Sequence, residues 1–256
     1  MNMQPKYVLI TGATSGIGKA CAMQFAENGY SLILTGRRQD RLEKLQKELV
    51  DQYKVAVEIC TFDVREAIET EQSIESLPST VKENIQILIN NAGLAVGRGS
   101  IEDGLLDDWN RMIDTNIKGV LHVTRAVVPY LKANKSGHII NLGSIAGKEV
   151  YPGGNVYCAT KHAVDALSKA MRIDLLPFSI KVTNIAPGAV ETEFSIVRFK
   201  GDESIAKSVY EGFTPLQAED IADSIYFVAS RPKHVNINDL VIMPTAQASS
   251  QNLFKI

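Results

Sequence analysis

This sequence predicts an α/β fold, an open, doubly wound and mostly parallel sheet with helices on both faces, and three observations point there. Short runs of Val, Ile and Leu alternate with stretches whose leucines and alanines recur at helical intervals, almost from end to end. The first run breaks into glycines and then directly into a helix, which gathers backbone N–H groups at the carboxyl edge of the sheet. Across 256 residues no repeat, low-complexity stretch or composition break marks a second unit, so a single domain over 1–256 is expected.

Composition narrows the partners. The chain is 45% hydrophobic and 22% charged, and a formal net charge of -2 gives no electrostatic reason for nucleic acid or an anionic membrane. Cys21, Cys60 and Cys158 lack a Cys-x-x-Cys pair and suit a reducing cytoplasm. His122, His138, His162 and His234 lack metal-ligand spacing, so no metal is expected. No apolar run approaches the ~18 residues of a membrane span, nor has the N-terminus a signal-peptide core, and a soluble cytoplasmic protein with a small-molecule partner is expected.

Tyr7-Val-Leu-Ile-Thr11 reads as the first strand, Gly12-Ala-Thr-Ser-Gly16-Ile-Gly18 as its turn and Lys19 to Glu27 as the helix. Glycines let a backbone approach a pyrophosphate, although the spacing is Gly-x-x-x-Gly-x-Gly and such a turn can be a mere tight connection. Ser31 to Thr35, the second strand, ends at Gly36-Arg37-Arg38, where a sheet that binds NAD carries an acid for the ribose 2′-OH. Two guanidinium groups stand there instead and match a 2′-phosphate; the plain alternative is two solvated charges at a helix start. Asp40 reads as a cap on the leucine-periodic helix that follows. Val55 to Phe62 is the third strand, after which Asp63 either accepts from an adenine amino group or caps a helix opened by Arg65.

Ile85 to Ile89 closes on Asn90-Asn91-Ala92-Gly93, small residues that permit close contact with a cofactor. Trp109 to Asn116 runs into Val120 to Asn134 as one long helix, with Asn116 a poor helix-interior residue that invites a reason. Gly137 to Leu142 and Ile180 to Ile185 are buried strands, the second closing at Ala186-Pro187-Gly188, and Asp239 to Met243 is the last. Residues 189–213, the least regular stretch, could cover the sheet edge as a lid.

The chemistry centres on Ser144, Tyr157 and Lys161. Ser144 ends the fifth strand, and if Val156 to Leu176 is helical then Tyr157 and Lys161 project from one face a turn apart. A phenol of pKa near ~10 is a poor base, and an adjacent lysine cation would lower that value. Alone, such a pair is usually a helix-surface neighbour pair.

In company it is more. Thr11-Gly-x-x-x-Gly-Ile-Gly18, Asn90-Asn-Ala-Gly93, Asn116, Ser144, Tyr157-x-x-x-Lys161 and Pro187-Gly188 together, in order, resemble the short-chain dehydrogenase/reductase family over essentially the whole chain. The resemblance implies a seven-stranded Rossmann-type sheet, usually a homotetramer, and a catalytic tetrad of Asn116, Ser144, Tyr157 and Lys161. Tyr157 would be the acid/base, Lys161 would hold the nicotinamide ribose and lower the tyrosine pKa, Ser144 would polarise the substrate oxygen, and Asn116 would support a water relay. Cofactor contacts would come from Gly12, Thr14, Ser15, Gly16, Ile17 and Gly18, from Arg37 and Arg38, and from Asp63 and Val64. Others would come from Asn90, Ala92 and Gly93, from Tyr157 and Lys161, and from Pro187, Gly188, Val190 and Thr192.

Thr35-Gly-Arg-Arg38, Gly153-Gly-Asn-Val-Tyr157 and Glu193-Phe-Ser-x-Val-Arg-Phe-Lys-Gly-Asp202 are similar to the NADP-dependent 3-hydroxy acid or serine dehydrogenases of this family. These act on serine, allo-threonine and related short 3-hydroxy acids, or on malonic semialdehyde and similar partners. Met243 to Gln247 and Ile17 depart from that subgroup and leave pocket shape open. NADP and a hydroxy acid are therefore the expected ligands, with Ser144 and Tyr157 at the substrate oxygen and Arg198 or Lys200 at its carboxylate. A broad carbonyl reductase or 3-oxoacyl reductase shares the tetrad and is the alternative. A cofactor sensor without turnover is the reading from another class, and retention of both Tyr157 and Lys161 speaks against it.

Overall fold

Seven apolar runs pair into one sheet in the computed structural model, which describes residues 5–256. They are β1 (Tyr7–Thr11), β2 (Ser31–Gly36), β3 (Val57–Thr61), β4 (Ile85–Asn90), β5 (Gly137–Leu142), β6 (Ile180–Pro187) and β7 (Asp239–Ile242). The spatial order is β3-β2-β1-β4-β5-β6-β7, and every pairing is parallel rather than most of them. The chain winds outward from β1 and then returns to lay β4 against its other side. The crevice outside the carboxyl ends of β1 and β4 is thus the topological switch point, where such sheets bind ligands.

Side-chain alternation explains why the strand runs are apolar throughout. Val8 and Ile10 face one core with Leu32 and Leu34, and Tyr7 and Leu9 face the other with Ile33. The first core is closed by α1 (Gly16–Glu27), α2 (Gln39–Tyr53) and α10 (Ala218–Ala229), the second by α3 (Ala67–Glu75), α6 (Gly119–Ala133) and α7 (Asn155–Leu175). Each fully buried Leu or Ile contributes about 1.5–3 kcal/mol by leaving water. Four short helices remain: α4 (Ser79–Lys82), α5 (Leu106–Ile113), α8 (Phe194–Arg198) and α9 (Glu203–Ser208). Among the described residues no helix is long and apolar enough to cross a membrane.

Several local expectations change. Helix α2 starts at Gln39 with Arg38 at its N-cap, so Asp40 sits inside the first turn, where its charge favours the helix dipole without capping it. Arg65 opens no helix, since α3 begins at Ala67 after the chain turns through Asp63 to Glu66. The long helix expected through Asn116 is broken by a π-helical turn, Asp114–Lys118, between α5 and α6. One extra residue in that turn re-aims Asn116, which answers why so poor a helix former is there. Residues 189–213 hold α8 and α9, both short.

Candidate active site

The strand ends supply backbone first. Gly12 and Gly16 have φ of 66° and 50°, the left-handed region that glycine enters without strain. Gly18 is constrained by space: a Cβ there would lie 2.4 Å from the Gly12 carbonyl oxygen. Its role is to let α1 pack under the loop, while Gly12, Thr14, Ser15, Gly16 and Ile17 line the cleft itself. The first turn of α1 carries no acid and no side-chain cap, which leaves its N–H groups for an anion. Thr11 and Asn91, whose roles were not read from the sequence, stitch β1 to β4. Thr11 Oγ1 accepts from Asn91 N at 3.0 Å and Ala92 N at 2.9 Å, and Asn91 Nδ2 donates to the Thr11 carbonyl at 2.8 Å.

Asn90 does not reach the cleft. Its side chain points into the interior, donating to Thr124 Oγ1 at 3.0 Å and Asn141 Oδ1 at 2.8 Å, because the last residue of β4 faces α6. Ala92 and Gly93 do line the cleft, as do Val64, Pro187, Gly188, Val190 and Thr192. Arg38 is held on the glycine loop: Nε and Nη2 donate to Thr14 Oγ1 at 3.2 and 2.6 Å, and Nη2 to Ser15 Oγ at 3.1 Å. Arg37 is more exposed and stands 3.6 Å from Asp63. Asp63 accepts from Arg65 N at 3.1 Å and grips the Arg65 guanidinium at 2.7 Å. Burial pushes its carboxyl upward, but Arg65 and then Arg37 outweigh that and hold it below the usual carboxylate range. The set fits a 2′-phosphorylated dinucleotide: a glycine cradle no side chain could enter, a free helix N-terminus and two guanidiniums.

Ser144, Tyr157 and Lys161 come together at the ends of β5 and in the first turns of α7, lining the same cleft of about 950 Å³. Ser144 caps a short 3-10 turn, its Oγ accepting from Ala146 N at 3.1 Å. Asn116 lies behind them, away from the lining. Its Oδ1 accepts from Leu94 N at 2.8 Å, and its Nδ2 donates to the Leu94 carbonyl at 2.8 Å and to Thr160 Oγ1 at 3.0 Å. Asn116 thereby locks the loop after β4 onto α7, one residue before Lys161.

One electrostatic expectation is reversed. Lys161 and Tyr157 share a helix face, yet Nζ donates to the Leu142 carbonyl at 2.7 Å and stands 5.9 Å from the phenol ring centre. Burial pulls the lysine down to about 8 and pushes the Tyr157 phenol above its ordinary value. What counteracts burial at the phenol is Ser144 and then Arg198, rather than Lys161. Helical spacing gave the shared face correctly, but burial dominates at the phenol, and the lysine, turned to the Leu142 carbonyl, is not among the groups that lower it.

Arg198, on α8, sits over Tyr151 at 5.4 Å and Tyr157 at 5.8 Å, and its buried Nε has no partner. Lys200, the other cation expected near a carboxylate, turns away to Asp108 at 2.8 Å and lines a separate groove. Arg98, Arg111, Arg198 and Lys255 line the cleft, and among the described residues the acids that line it are Asp63 and Glu193, both on the glycine-loop side. Glu193 was not read from the sequence either: it bonds Arg41 at 3.1 Å and Arg38 at 3.4 Å across the cleft mouth.

Comparison with known proteins agrees with this geometry. The family described as short chain dehydrogenase matches residues 6–202. Sulfoacetaldehyde reductase 2 of Chromohalobacter salexigens is 48% identical over 244 residues, 95% of this chain and 96% of that protein. The NADP-dependent 3-hydroxy acid dehydrogenase YdfG of Escherichia coli K12 is 46% identical over 242 residues, 94% of this chain and 96% of that one. Among solved structures, the closed form of a serine dehydrogenase complexed with NADP+ superposes with a TM-score of 0.91 at 44% identity, covering 98% of this chain and all of that one.

Proposed function

The chain belongs to the short-chain dehydrogenase/reductase family as an NADP-dependent oxidoreductase of CH–OH groups, and from that premise we propose that its substrate is a short 3-hydroxy acid of the serine, allo-threonine or 3-hydroxypropionate type, or the matching semialdehyde. The observation that carries this reading is the Arg198 guanidinium, set against the Tyr157 ring with an unpartnered buried nitrogen. An arginine held beside an acid/base group suits a carboxylate two bonds from the reacting carbon, because a forked donor fixes an anion in one orientation. The cation-lined side of the cleft supports the same substrate charge.

Tyr157 exchanges the proton at the substrate oxygen, and Ser144 holds that oxygen. Bound NADP supplies the hydride acceptor or donor. Burial keeps the phenol protonated at neutral pH, ready to donate to a carbonyl; in the oxidising direction Arg198 and Ser144 ease its ionisation. Lys161 binds the nicotinamide ribose and Arg37 and Arg38 the 2′-phosphate. Asn116 acts through Leu94 and Thr160, keeping Lys161 and the loop in place. Residues 189–213 close over the cleft as a lid.

A sulfonate aldehyde is the second reading, favoured by the 48% identity to sulfoacetaldehyde reductase 2, since a guanidinium pairs with sulfonate much as with carboxylate. NADP-linked oxidation across L-serine, allo-threonine, 3-hydroxypropionate, 2-hydroxyethanesulfonate, serine methyl ester and a simple secondary alcohol tests both. The free carboxylates should lead the ester by about a hundredfold in kcat/KM, the worth of a desolvated charge-assisted pair. Equal turnover of the ester and the neutral alcohol would make this a broad carbonyl reductase instead.

A further inference from the structure

Glu193 lies between Thr192, whose Cγ2 would be 3.3 Å from a Cβ on Gly16, and Phe194, whose ring is 5.7 Å from that of Tyr157. Its carboxylate leaves that segment to bridge Arg38 and Arg41 at the start of α2. Arg38 has five N–H donors. Three are spent on Thr14 and Ser15 and a fourth on Glu193, leaving one for any further anion. All three side chains of the bridge are between 40% and 49% exposed, so a soluble phosphate can compete for the same cations.

We propose that Glu193 is a specificity-determining residue at the adenosine end of the cofactor site, where its carboxylate competes with the 2′-phosphate for Arg38 and Arg41. Two anions on one guanidinium repel each other, and the phosphate must displace Glu193 from Arg38 to gain more than the one donor left free. Arrival of a 2′-phosphorylated cofactor therefore loosens the segment in which Thr192 packs on Gly16 and Phe194 lies beside Tyr157. A cofactor without that phosphate leaves the bridge intact. The wild-type chain accordingly binds 2′-phosphorylated ligands more weakly than its arginines alone would allow, which speeds their release.

Resting as it does on Arg37 and Arg38 being the 2′-phosphate site, the competition is tested by calorimetry with two ligands that carry no nicotinamide, adenosine 2′,5′-bisphosphate and 5′-AMP. Wild type should bind the bisphosphate more tightly than 5′-AMP; failure of that preference overturns the arginine reading and the competition together. Given the preference, Glu193→Gln should bind the bisphosphate about fivefold more tightly with 5′-AMP unchanged, and the gain should vanish in 1 M salt. Glu193→Asp, which keeps the charge, should stay within about twofold of wild type. Weaker bisphosphate binding by Glu193→Gln, or an equal shift for both ligands, overturns the competition while leaving the arginine site standing.

Discussion

The two halves of the cleft are built from different materials. Toward the glycine loop the floor is backbone, left-handed glycines, the open end of α1 and strand termini stitched by Thr11 and Asn91, with Arg37, Arg38, Asp63 and Glu193 as its charged side chains. Beyond Tyr157 it is side chain, with Tyr151, Phe194 and Arg198 packed about the phenol. Backbone geometry is dictated by short local motifs and tolerates little change. Side-chain geometry is assembled from distant segments and sets which molecule reacts. The first half should be shared by any reaction this chain catalyses, and the second should decide the substrate.

Substitutions can break that division. Tyr157→Phe removes the hydroxyl proposed to carry the proton and should cut turnover by about a thousandfold or more while NADPH binding, read by fluorescence, stays within about twofold. Retained turnover would move the acid/base role elsewhere. Arg198→Met, which keeps bulk over the phenol, should erase the advantage of L-serine over its methyl ester, a loss of about a hundredfold for the free acid with little change for the ester. An unchanged preference would assign the substrate anion to Arg98, Arg111 or Lys255.

Gly18→Ala acts on the other half. Its methyl would meet the Gly12 carbonyl, which is backbone, at 2.4 Å and Asn91 Nδ2, a side-chain amide held by the Thr11 and Gly12 carbonyls, at 2.5 Å. The expected result is about 1–3 kcal/mol of lost stability on chemical denaturation together with weaker NADPH binding, and equal losses for every substrate. A substrate-dependent effect would blur the two halves.

The same division explains what could be read from the chain. Gly12, Gly16, Gly18, Tyr157 and Lys161 act over a turn or less, so their spacing carries their geometry, and the parallel α/β class follows from the alternation of runs. Asn116 was singled out as a misfit, but not the π-helical turn that aims it, since the extra residue leaves the apolar pattern on either side intact. Asn90 follows the alternation of β4, which turns it with Leu88 toward α6 and away from the cleft, whereas the motif alone does not say which of its residues face the cofactor. Lys200 and Arg198 look alike as lone cations two residues apart, and the difference lies in Asp108, which comes from α5. The phenol shift differs for the same reason: Phe194 and Arg198, which pack about the ring, are distant in the chain, and burial is a property of the assembled fold.

A change outside both halves supplies the control. His138, near the amino end of β5, is buried and bonds Thr183 Oγ1 through Nε2 at 2.8 Å; that hydroxyl donates to the Ile237 carbonyl at 2.6 Å, so Nε2 carries the proton. Burial, with Lys181 nearby, lowers the histidine to about 3. Its ordinary value in the unfolded chain is 6.5, so between those limits the unfolded state binds the extra proton and stability falls as pH falls. The loss is on the order of 1 kcal/mol per pH unit below ~6.5, and nothing is lost above it. His138→Gln should be less stable at pH 8, through imperfect packing, but should lose less of its Tm between pH 7 and pH 5 than wild type does. Both proteins should keep the same preference for L-serine over its ester, because the residue touches neither part of the cleft. Parallel Tm curves over that range would mean that another group, such as the carboxylates held by Lys148 and Arg65, sets the acid limit.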